Sequence, residues 1–77
     1  MPTDPLPAWV LTRRQAIGSN VRAARTERKI SQEKLGETVG LDRKTISRIE
    51  NGAYGTLIDH LLLIADALDT PLADLVR

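Results

Sequence analysis

The stretch VGLDRKTISRIENG, residues 39–52, holds the side chains of this chain best suited to chemistry. At about 3.6 residues per turn, Ile46 and Ile49 fall on one side of a helix, while Arg43/Ser47 and Lys44/Arg48 form two rows spaced four apart on the other. One side anchors the rod and the other offers cationic and hydroxyl donors. The chemistry such a face can do is recognition, by donating hydrogen bonds to anions and to paired acceptors. Bond making has no comparable support. His60 is the one histidine and there is no cysteine. Ser31, Thr45 and Ser47 have no histidine at a plausible spacing, and the carboxylates are scattered rather than gathered. An enzyme is therefore the weakest candidate, and no metal or cofactor site is expected. The ordinary fate of a charged helix face is simple solvation, so the surrounding elements must decide.

Seventy-seven residues make one domain with a small core. The net charge of +1 conceals a split. Met1 to Arg48 carries ten Lys/Arg against five Asp/Glu, and Ile49 to Arg77 carries one against five. The first part thus stands at +5 and the remainder at −4, which suits a polyanion on one side and a different partner on the other. No apolar run reaches the roughly 18 residues of a membrane span, and MPTDPLPAW lacks the pattern of a signal peptide. A cytoplasmic location is expected, with no membrane contact.

The elements that must position the donor face follow from caps and periodicity. Three prolines in the first seven residues predict an extended arm over residues 1–11, with Trp9 packing on the chain itself or on a second copy. The domain proper is expected at 12–77. Thr12 and Gln15 have capping-box spacing, and Ile17, Val21, Ala24 and Arg28 recur helically, predicting a first helix from about Arg13 to Arg28. Ser31 caps a second helix through Val39, which ends at Gly40. Asp42 caps a third from Arg43 to Asn51, stopped by Asn51-Gly52. Thr56 and Asp59 open a fourth, whose stripe Leu57, Leu61, Ile64 and Leu68 is broadened by Ile58, Leu62 and Ala65. Thr70 and Pro71 open a fifth carrying Leu72, Leu75 and Val76. No strand pattern occurs, so the fold class is all-α.

Two short helices joined by a glycine-containing turn are the helix-turn-helix unit, whose second helix enters the major groove of DNA. The stretch IGSNVRAARTERKISQEKLGETVGLDRKTISRIENG, followed by LIDHLLLIADALDTPLADLV, closely resembles the Cro/cI-type (XRE-like) helix-turn-helix family of bacterial and phage DNA-binding regulators. The similarity runs from about Ile17 to Val76, and three of its elements coincide: SQEKL, VGLDRKTISRIENG and LLLIADAL. The resemblance implies a compact five-helix, lambda-repressor-like DNA-binding domain. It places Arg43, Lys44, Ser47 and Arg48 at base edges, Gln32 and the first amides of the second helix on a phosphate, and the amides around Asn51 and Gly52 on another. It also pairs Arg25 with Glu50. A carboxylate in the last turn of a helix opposes the macrodipole, which supplies an independent reason for that pair. Of the remaining cations Arg13, Arg14, Arg22, Arg28 and Lys29, Arg22 and Arg28 are assigned to phosphate. Gly36 stands where the family commonly has alanine, at a cost of roughly 1 kcal/mol in helix propensity. His60 has no assignable chemistry, and Tyr54 either packs in its loop or touches a phosphate.

The function expected is a transcriptional repressor that binds a roughly palindromic duplex as a homodimer, its reading helices about one DNA turn apart. A base-reading set without Gln or Asn favours guanine in each half-site. The dimer surface is either the apolar C-terminal set Leu57, Leu61, Leu72, Leu75 and Val76 or the Trp9 arm. Two rivals are an antitoxin that neutralises a toxin while repressing its own operon, and a protein-interaction module that has lost DNA contacts.

Overall fold

The computed structural model describes residues 6–53 and 55–77, and five helices account for most of them. They are α1 (Ala8–Glu27), α2 (Gln32–Val39), α3 (Arg43–Glu50), α4 (Ile58–Ala67) and α5 (Leu72–Val76). Among the described residues there is no strand. The part of the expected arm at residues 1–5, and Tyr54, lie outside the described residues.

The first helix starts earlier than its apparent cap. Pro7 takes the N-cap position, and its carbonyl accepts from the Val10 and Leu11 amides at 3.0 and 3.4 Å. Residues 8–11, read from sequence as arm, are therefore the first turn of α1. Thr12 is not a cap: its hydroxyl donates back to the Ala8 carbonyl at 3.1 Å, as a threonine inside a helix does. The boundary lies at the last proline because proline lacks the amide a helix interior needs but is tolerated at its start. Two other hydroxyl caps fail in the same way. α4 begins after Leu57 with no side-chain cap, so Thr56 does not serve, and Pro71 rather than Thr70 precedes α5. The Thr70 hydroxyl instead donates to the Leu68 carbonyl at 3.0 Å. The caps that do form are those of the central pair. Ser31 Oγ accepts from the Lys34 amide at 3.0 Å, Asp42 Oδ1 accepts from the Thr45 amide at 2.7 Å, and Gly40 closes α2 with φ +79°.

α1 packs on α3 and α5, α2 packs on α3 and α4, and α4 packs on α5. The shared core is Val21, Leu35, Ile46, Ile49, Leu61, Ile64, Ala65, Leu68 and Leu75. Only part of the expected α4 stripe enters it. Leu57 and Ile58 remain 64% and 68% exposed, and Leu62 is also exposed. The buried positions of α4 occupy about one third of its circumference, and one sheath of neighbours covers no more than that. Leu61 and Leu75 are used up in the core and cannot form an outer surface; Leu72 packs against it half-buried.

Candidate nucleic-acid interface

α3 is held by its apolar side. Ile46 is fully buried and Ile49 is 3% exposed, while Arg43, Lys44 and Arg48 are exposed and Ser47 is half-buried. The four expected base-reading residues thus share one outward flank of α3. Hydrogen bonding by Thr45, hydroxyl first and amide second, holds the Asp42 carboxyl below its ordinary value, with smaller help from Lys44 and Arg48. A folded value depressed below the unfolded one, about 3.9, adds stability above that pH and loses it as pH falls through the folded value. Asp42→Asn should therefore melt below the wild type at pH 7, with the gap narrowing as acid protonates the carboxyl in the folded state. A gap in thermal midpoint that stays constant as the pH is lowered would contradict this.

α2 presents its N-terminus beside α3. Of its opening amides, that of Lys34 is capped by Ser31, while those of Gln32 and Glu33 have no acceptor among the described residues. Two free amides at a helix start suit an anion. The Gln32 side chain is partly committed, since its Nε2 donates to Glu50 Oε1 at 3.1 Å.

The structure brings Arg25 and Glu50 together across 25 residues of sequence. Arg25 Nε donates to Glu50 Oε2 at 2.6 Å, Nη2 donates to Oε1 at 3.0 Å, and Nη1 donates to the Ile30 carbonyl at 2.7 Å. The Glu50 side chain is 1% exposed and accepts from Gln32 as well. The hydrogen bond to Glu50 raises the Arg25 guanidinium above its ordinary value, against the opposing effect of burial and with the aid of Coulomb attraction. One carboxylate thus ties α1, the start of α2 and the end of α3 into a unit. That unit sets the pose of the cationic flank.

Two glycines allow the close approach this requires. A Cβ on Gly18 would lie 2.5 Å from both the Ile49 and Glu50 carbonyl oxygens, and one on Gly36 would lie 2.3 Å from the Leu41 oxygen. Gly36 is therefore no mere weakness in α2. The backbone of the turn passes where alanine's methyl would stand.

Other expected contacts are placed differently. Arg28 Nη2 donates to the Asp69 carbonyl at 2.9 Å, so the side chain reaches toward the α4–α5 turn and not toward α3. Arg13 Nη2 likewise donates to the Val76 carbonyl at 2.7 Å. Arg22 is exposed, one turn beyond Gly18 on the flank of α1 that packs on α3. Asn51 is exposed, but the backbone amides there are occupied: Asn51 N donates to Ser47 O, Gly52 N to Ile49 O and Ala53 N to Arg48 O, at 3.0 to 3.1 Å. The second phosphate contact implied by resemblance cannot come from these amides. Asn20 has no role expected from sequence, yet its Nδ2 donates to the Leu75 and Arg77 carbonyls at 3.0 and 3.2 Å and moors α5 to α1. No local pattern signals it, since its partners lie 55 and 57 residues away. Among the described residues no group of three His, Cys, Asp or Glu could hold a metal, and no helix is long and apolar enough to cross a membrane.

A helix whose inner side is buried and whose outer side is cationic, preceded by a glycine turn and a shorter helix with free N-terminal amides, defines a helix-turn-helix protein. The family model described as Helix-turn-helix matches residues 21–75, and the chain belongs to this family, in its Cro/cI-type (XRE-like) branch of DNA-binding transcription regulators. The HTH-type transcriptional regulator YgzD of Bacillus subtilis is 39% identical over 56 residues, which cover 73% of this chain and 85% of that protein. The restriction-modification controller protein C.AhdI from Aeromonas hydrophila superposes with a TM-score of 0.80 at 31% identity, over 83% of this chain and 97% of that one. The P22 c2 repressor, solved in complex with a synthetic operator, gives 0.75 at 32% identity, over 82% and 96%.

Proposed function

We propose that the chain is a sequence-specific transcriptional repressor that seats α3 in the major groove of a palindromic operator and acts as a homodimer in the cytoplasm, without catalysing a reaction. The observation that carries this reading is the division of α3: Ile46 and Ile49 are buried, so Arg43, Lys44, Ser47 and Arg48 form a flank free to meet base edges. Arginine and lysine suit the paired acceptors of guanine, each good bidentate contact contributing roughly 1–3 kcal/mol of discrimination. Gln32, with the free amides beside it, and the Asn51 side chain meet phosphates, and Arg22 adds attraction to the backbone. Arg28 is left out of this set because its guanidinium is engaged at Asp69.

One module of this size makes few contacts, and joining two raises effective affinity through local concentration. The large apolar side chains left outside for the dimer are Leu57 at the start of α4, Ile58, Leu62 and Leu63 on it, Val76 on α5, and Leu6, Trp9 and Leu11 around the start of α1. The two helices α4 and α5 also carry most of the acidic excess, which keeps that side away from DNA.

Selection of bound sequences from random duplex DNA tests the assignment. The wild type is expected to return guanines in each half-site. Arg43→Ala and Arg48→Ala should each relax preference at one position per half-site, whereas Gln32→Ala should weaken all sequences alike. A selection returning only A·T pairs opposite α3, or uniform losses in every variant, would defeat the base-reading assignment.

A further inference from the structure

We propose that Arg14, on the first turns of α1, is a phosphate-binding residue that clamps the DNA backbone beside the loop following α3. The proposal rests on the DNA-binding reading above. The loop NGAYGT, residues 51–56, contains no cation, and its first three amides are already donated to carbonyls of α3. The backbone of residues 51–53 thus offers no free amide to the strand passing it, and a cationic donor must come from another element. α1 supplies one. Its backbone at Gln15 lies against Gly52, within 2.8 Å of where a Cβ there would stand, and the Arg14 Nη2 atom lies 3.8 Å from the corresponding position on Gly55. Both contacts depend on α1 beginning at Ala8, which places residues 14 and 15 well inside a rigid helix.

The neighbouring arginines are spoken for, Arg13 by the Val76 carbonyl and Arg25 by Glu50. Arg14 forms neither an ion pair nor a hydrogen bond among the described residues, where Arg25–Glu50 is the one salt bridge. It is half-buried, its stem lining an apolar groove with Trp9, Ile17, Ile49 and Leu61. A guanidinium on a packed stem loses little rotamer freedom when it meets an anion, which favours a fixed contact over diffuse attraction. The ligand chemistry is a backbone phosphate, and the contact carries no base preference.

The test is a titration of the wild type and of Arg14→Ala, Arg14→Lys, Arg13→Ala and Arg43→Ala against a duplex selected by the wild type, repeated across a salt series. Arg14→Ala should lower the slope of log K against log salt by about 0.9 per bound protomer, leave the selected base preference unchanged, and be largely restored by Arg14→Lys. Arg13→Ala should keep the wild-type slope. An unchanged slope in Arg14→Ala, with Arg43→Ala still impairing binding, overturns this proposal and leaves the DNA-binding reading intact. A changed base preference in Arg14→Ala also overturns it. No association of the wild type with any duplex at low salt removes both.

Discussion

Arg25→Met is expected to cost about 3–5 kcal/mol of folding stability, enough to leave so small a domain largely unfolded at room temperature. The reason is asymmetry. The Glu50 carboxylate is 1% exposed and, among the described residues, loses two of its three hydrogen bonds and its only counter-ion, leaving an uncompensated charge in a low-dielectric setting. The Ile30 carbonyl, in the turn between α1 and α2, loses the Nη1 donor as well. Removing both charges should undo most of the damage. The double variant Arg25→Met/Glu50→Gln keeps an acceptor for Gln32 and has no buried ion, so it should recover much of the wild-type stability. Urea unfolding followed by circular dichroism reads the difference. Trp9 is 69% exposed and would report poorly by fluorescence. A single variant that loses no more than about 1 kcal/mol would mean that the pair behaves as an exposed one.

Gly18→Ala is the second large effect, and its sign runs against helix propensity. In an open helix the change to alanine stabilises by about 1 kcal/mol. Here the added methyl meets two backbone carbonyl oxygens at 2.5 Å, and neither can turn aside as a side chain would. α1 and α3 must separate, which draws Arg25 away from Glu50 and disturbs the seating of Ile49. Overpacking of this kind costs typically 1–3 kcal/mol, so a net loss of about 2 kcal/mol is expected. Ser19→Ala, next in sequence but exposed, serves as the control and should stabilise slightly. If Gly18→Ala were to raise the thermal midpoint, the tight crossing of α1 over the end of α3 would be wrong. The DNA-binding consequence is separable: a partly folded Gly18→Ala should bind the selected duplex more weakly but keep its base preference.

The helix-turn-helix pair was legible in the chain because its determinants are local. Ser31 bonds three residues on to Lys34, Asp42 bonds three residues on to Thr45, and Gly40 takes the left-handed conformation between them. The spacing of Ile46 and Ile49 against Arg43, Lys44, Ser47 and Arg48 likewise needs nothing beyond the pitch of one helix to assign inner and outer sides. Hydroxyls at Thr12, Thr56 and Thr70 have the same local credentials and do not cap. Helix starts there are set by Pro7, by the packing of α4, and by Pro71, and spacing alone cannot choose between a capping threonine and one bonded backwards. The Arg25–Glu50 pair illustrates the middle case, since family resemblance implied it and helix electrostatics gave a motive, but only the fold provides the distance.

What belonged wholly to the tertiary structure is how surfaces are shared out. Leu57, Ile58 and Leu62 are as apolar as Leu61 and Ile64, yet they stay outside because α2 and α5 cover a single arc of α4. Arg28 and Arg14 are alike in sequence, and one is drawn to the Asp69 carbonyl while the other is carried to Gly55. Gly36 reads as a fault until the Leu41 oxygen is seen where its Cβ would go. The caps that Ser31 and Asp42 make three residues on, and the inner and outer sides of α3, follow from the chain's own geometry, so the sequence determines them; contacts across 25 or more residues depend on how helices cross, and only the assembled fold decides those.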